Sequence, residues 1–152
     1  MLTTKELNRK KQFPYTTTFH WHNENPKGNI TTDCVFRAIG KATGLGWVAT
    51  LRDLSEDAMD KCVTPTAQEI YISYIESMGF NPQKQPKKNN GTKYTGSQFC
   101  RWLDKTYKDA VVVAHIGTHH IVCISKVDGR FKVNDTWDST QGCIGKWWVK
   151  EI

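Results

Sequence analysis

The chain changes texture at Lys108. Before it, apolar residues recur at helical spacing between polar caps, and after it short runs rich in β-branched residues alternate with turns. This order, helices first and strands second, restricts the fold to an α+β class with an antiparallel sheet at its C-terminal end. Asp128-Gly129 is a strong two-residue hairpin signal between His120–Lys126 and Arg130–Asp135. Ala110–Ile116 and Lys146–Ile152 read as further strands.

In the first part, Val35, Ala38, Ile39 and Ala42 give helical spacing from Cys34 to Thr43. Gly44 stands in the C-terminal cap position, and Thr32 or Asp33 is placed to cap the start. A second helix is expected over Trp47–Lys61, with Val48, Leu51, Leu54 and Met59 inward. A third begins near Pro65 or Thr66, where Thr66-Ala-Gln-Glu69 fits a capping box, and stops at Gly79. Residues 81–94 read as a loop. Thr95-Gly-Ser-Gln98 is a second capping box opening a short helix through Phe99, Trp102 and Leu103. Residues 1–32 read as irregular or strand-like. No repeat or linker divides the chain, so residues 1–152 are expected to form one domain.

Five cysteines, widely spaced and without a CxxC pair, argue against a disulfide framework or a structural zinc site. The formal net charge of +6 gathers at Arg9-Lys10-Lys11 and at Lys84, Lys87, Lys88 and Lys93. These clusters are short and sit in no nucleic-acid motif, so they read as solvated loops and nucleic acid is not an expected partner. No apolar run is long enough for a membrane span. The basic N-terminal segment lacks an apolar stretch, so the expectation is a cytoplasmic protein that does not engage a membrane.

One thiol is placed for chemistry. Cys34 opens a helix, where unpaired N–H groups favour a thiolate. The adjacent Asp33 opposes that ionisation, so a histidine must pair with the thiol. Thr118-His119-His120 leads into the aliphatic strand Ile121-Val-Cys-Ile124. Alternation directs one of the two histidines into a site, and His120, directly before the buried run, is favoured. His119 is then a loop residue and His115 a structural one. One hairpin later, Asp135 can orient His120, with Asn134 and Asp138 as rivals. Arg37 is placed to pair with Asp33 or with a carboxylate at the sheet end. His20 and His22 would share a strand face with no third ligand, so no metal is expected. Trp147-Trp148 reads as one core and one surface residue.

The order of Cys34, His120 and Asp135-Thr136-Trp137 resembles the papain-like cysteine peptidases, whose third motif is Asn-Ser-Trp. A closer resemblance is to small phage and prophage proteins of papain-like type. It rests on Asn25-Pro-Lys-Gly28, Asp33-Cys-Val-Phe-Arg-Ala-Ile39, His120-Ile-Val and Asp135-Thr-Trp-Asp-Ser139. The resemblance implies a papain-like fold in which Cys34 attacks a carbonyl, His120 carries the proton and Asp135 orients His120, with no cofactor. The implied activity is hydrolysis of a peptide, isopeptide or amide bond in a peptide or protein substrate through a thioester. Papain-like enzymes take an oxyanion donor from a Gln ahead of the nucleophile. None stands there in this chain, so Asn29 is the nearest candidate and Asn25 the next. The alternative is a non-catalytic phage-type binding protein on the same scaffold, engaging a host protein or nucleic acid.

Overall fold

A computed structural model describes residues 1–152. Its elements run α1 (Thr4–Gln12), β1 (Phe19–Trp21), α2 (Cys34–Thr43), α3 (Trp47–Lys61), α4 (Gln68–Ser77), β2 (Asn81–Gln83), α5 (Gly96–Thr106), β3 (Ala110–Ile116), β4 (His120–Val127), β5 (Arg130–Asp135) and β6 (Ile144–Glu151). The α+β class holds: five helices accompany one six-stranded sheet of order β1-β5-β4-β3-β6-β2. No helix is long and apolar enough to cross a membrane.

The sheet is mixed rather than purely antiparallel. β1 joins its edge parallel to β5, pairing Phe19 with Val133 and Trp21 with Asp135. Local periodicity reports that a segment is extended but not which neighbour it will meet, so this pairing was not legible. Two helical expectations also change. Residues 4–12, expected to be irregular or strand-like, form α1, opened by a reciprocal capping box between Thr3 and Glu6. α4 starts at Gln68 with Ala67 in the N-cap, so Thr66 lies one residue too early to cap it. By contrast, the Thr95–Gln98 box forms and opens α5 as expected. Asn81–Gln83, within the expected loop, pairs as β2 with the outer edge of β6.

Side chains alternate across the strands and feed two cores. Val113, Ile121 and Trp148 pack with Val35 and Ile39 of α2, Leu54 and Ala58 of α3, and Ile70 and Ile75 of α4. Val112, Val122, Ile124, Phe131, Val133 and Trp147 pack with Phe99, Cys100 and Leu103 of α5. In α3 the inward stripe is Thr50, Leu54 and Ala58, while Val48 and Met59 are exposed. The stripe is the i, i+4, i+8 row, which the apolar residues alone did not mark. Trp147 and Trp148 are both buried, on opposite faces, because strand neighbours point to opposite sides of a sheet that is covered twice. Their indoles donate to the Lys84 carbonyl and to Glu76 Oε2, each at 3.0 Å.

Candidate active site

α2 delivers Cys34 at its first residue. Asp33 is the N-cap by position, but its side chain caps nothing. Its oxygens instead accept from Arg37 Nε at 2.7 Å, Trp47 Nε1 at 2.8 Å and Asn25 Nδ2 at 3.1 Å. The Arg37 guanidinium thus offsets the neighbouring negative charge that would oppose a thiolate. No side-chain cap takes the first-turn N–H groups of α2, which face the cavity end of the helix.

β4 begins at His120, whose Nε2 donates to Asp135 Oδ2 at 2.6 Å. Asp135 ends β5, the strand that the hairpin at Asp128-Gly129 lays antiparallel to β4. With Nε2 engaged, Nδ1 is the ring nitrogen left to face Cys34, whose side chain lies beside the His120 ring on the same cavity. Asp135 is 1% exposed, yet every lone-pair direction it needs is used. Besides His120 it accepts from Ser139 Oγ at 2.7 Å, Arg37 Nη1 at 2.9 Å and the Thr136 N–H at 2.8 Å.

The electrostatics follow from these contacts. Burial pushes the Cys34 thiol up, but the hydrogen bond and charge of His120, the Ile121 N–H and Arg37 outweigh it and hold the thiol below its ordinary value. Burial pushes His120 down, but its bonds to Asp135 and Cys34 and their charges raise it to about 9. Burial likewise pushes the Asp135 carboxyl up, and His120, Arg37 and Ser139 hold it below the usual carboxylate range. Each of the three shifts favours the charged form of its group: thiolate, imidazolium and carboxylate.

Compared with known proteins, the chain matches no family model, no curated protein and no solved structure. The geometry therefore stands on its own residues.

The other candidates fall outside this relay. Asn134 is engaged with His20 Nδ1 at 2.8 Å and with the Cys123 carbonyl, on the neighbouring parity of β5. Asp138 caps the next turn through Thr140. His119 is exposed in the turn between β3 and β4 at φ 55°, and His115 bonds Tyr71. His22 bonds Glu24. Asn29 is a correction: it is exposed and lines a separate surface depression with Thr3, Lys5 and Gly28. Asn25 is buried, but its amide carries Asp33 and its carbonyl accepts from the Lys27 and Asn29 N–H groups. The Asn-Pro-Lys-Gly segment closes on itself as a turn, so neither amide reaches the sulfur side of α2.

Cys34 opens into a cavity of about 520 Å³ lined by Val35, Gln68, Tyr71, His115, His120 and Gly145 among others. A second hollow of about 500 Å³, bounded by Trp137, Ser139 and Gln141, shares Gly117, His119 and His120 with it. The Trp137 ring lies 5.1 Å from the His120 ring and is partly exposed. Ser139 and Trp137 carried a signal in the Asp135-Thr-Trp-Asp-Ser139 run. Tyr71 carried none, because a tyrosine on the inner face of an amphipathic helix reads as core.

Proposed function

We propose that the chain is a papain-like cysteine hydrolase that cleaves a peptide, isopeptide or amide bond through a thioester acyl-enzyme. The observation that carries this reading is the buried Asp135, bonded by His120 and Arg37, with His120 and Cys34 side by side at one cavity. The papain-like assignment draws support from the element order, with the cysteine at the start of an early helix and the histidine and carboxylate on consecutive antiparallel strands. A structural ion pair would need none of the cavity that opens above the sulfur.

In the proposed reaction the Cys34 thiolate attacks the carbonyl carbon, forming a C–S bond as the carbonyl π pair moves onto oxygen. Collapse breaks the bond to the leaving nitrogen, which takes the proton from His120 Nδ1. His120 then removes a proton from water, the hydroxide attacks the thioester, and the C–S bond breaks to return the thiolate. Asp135 stays ionised throughout and stabilises the imidazolium. The two hollows that meet at His120 favour a chain-like substrate, because they offer room on both sides of a scissile bond.

The test is alkylation of Cys34 by iodoacetamide across pH, in the wild type and in His120→Ala. Labelling that persists well below pH ~8.5, the range where an ordinary thiol titrates, and moves up in pH in the variant is the expected result. A wild-type profile of an ordinary thiol, unchanged by the substitution, would remove the hydrolase reading.

A further inference from the structure

The relay leaves one requirement of acyl transfer unassigned: a donor for the oxygen that becomes negative when the thiolate attacks. The Cys34 N–H at the uncapped start of α2 is one such group. Both asparagines ahead of the nucleophile are turned away from the sulfur, so a second donor has to come from elsewhere on the cavity wall.

The polar side chains on that wall differ in how they are held. Gln68 is exposed at the first turn of α4 and has no hydrogen-bond partner to fix its amide. Tyr71, one turn further along, is 4% exposed and packs in the same core as Val35 and Ile121. Its hydroxyl lies 2.7 Å from His115 Nε2. His115 is itself gripped on two sides, its ring edge-on to Tyr71 and 5.2 Å from Trp148 at 75°. It stands directly opposite Ile121 in the β3–β4 ladder, and both residues line the cavity into which Cys34 opens. Tyr71 and the nucleophile thus line the same cavity.

Resting on the hydrolase reading, we infer that the Tyr71 hydroxyl, oriented by His115, is the side-chain donor to the developing oxyanion. A phenol that keeps its proton is required, and burial with the nearby Cys34 charge raises Tyr71 to about 12. His115 must be neutral, and burial and Lys146 lower it. A neutral imidazole with its proton on Nε2 donates to the Tyr71 oxygen, which leaves the phenol O–H free for a third atom. That atom is the carbonyl oxygen of the substrate. It carries full negative charge only after C–S bond formation, so the contact strengthens as the reaction advances.

The experiment separates two reactions of the same thiol. Alkylation by iodoacetamide displaces iodide and builds no oxyanion, whereas acylation by 4-nitrophenyl acetate passes through one and releases nitrophenolate. Tyr71→Phe should slow acylation by about 100- to 1000-fold, the usual effect of removing one such donor, while alkylation changes less than about threefold. His115→Gln, which retains an N–H donor, should restore more acylation than His115→Ala. Equal acylation in Tyr71→Phe and wild type would overturn the role of Tyr71 and leave the relay intact. A parallel fall in alkylation and acylation would also overturn it, by reducing Tyr71 to a packing residue. A wild type that is neither alkylated nor acylated at Cys34 would overturn the hydrolase reading and this assignment together.

Discussion

The two faces of the sheet are built from cores of equal size, 14 buried residues each, and each raises the thiol it seals, while a thiol at the edge of the α2 face is lowered. On the α5 face Cys100 is sealed among Phe99, Leu103 and strand residues, and burial with the charge of Asp104 pushes it up to about 12. On the α2 face Cys123, buried inside β4 with the parity of Ile121, is likewise pushed up to about 12 by burial. Cys34 is also partly buried but lies at the helix start, where the face opens into a cavity and His120 and Ile121 supply donors. Apolar burial alone makes a thiol inert. A reactive one needs fixed donors and a counter-charge in reach. His120 and Asp135 share strand parity with Val122 and Val133 of the α5 core, whereas Cys34 comes from the opposite face. The relay thus closes over the end of the sheet, where alternation no longer separates the two sides.

This contrast can be broken most forcefully at Arg37, which bonds both Asp33 and Asp135. Arg37→Ala leaves two buried carboxylates without their cation and should cost about 3–5 kcal/mol in urea unfolding. In the folded fraction, labelling of Cys34 should require higher pH, since Arg37 favours its thiolate. Undiminished stability would mean that the ion-pair network does not tie α2 to β5.

The α5 face offers the converse. Leu103→Ala should cost about 2–5 kcal/mol by opening a cavity in a dry core. Alkylation of Cys34 in the folded protein should stay at its wild-type rate. A coupled loss of reactivity would show that the two faces do not act independently.

The smallest effect is in the pH dependence of stability. His120 is raised from an ordinary value near 6.5 to about 9. Its stabilising contribution is therefore full below pH ~6.5 and is lost as pH rises through about 9. Cys34, shifted down, contributes in the opposite direction, stabilising as pH rises through its folded value, so the comparison belongs in a Cys34→Ser background. There, adding His120→Ala should remove a loss of about 1–2 kcal/mol between pH ~6 and pH ~10, after discounting the exposed part of the ring. Parallel stability curves with and without His120 would mean that its charge is not coupled to the fold. Asp135 follows the other sign. Its contribution is present above the usual carboxylate range and fades as pH falls through its lowered folded value.

Local order was legible where a single segment carried its own instructions. The helix at Cys34–Thr43 with Gly44 at its end, the Thr95–Gln98 capping box and the hairpin at Asp128-Gly129 are set by caps, turn chemistry and period, which act over a few residues. The same short-range signals named Cys34, His120 and Asp135, because a helix start, a strand start and a strand end each mark a defined place. Tertiary structure alone decided which groups meet. It set β1 parallel to β5, buried both tryptophans of β6, turned Asn25 and Asn29 away from the sulfur, and placed Tyr71 and His115 on the cavity wall. Those outcomes depend on contacts between segments far apart in the chain, and no local pattern specifies a partner that only packing brings near.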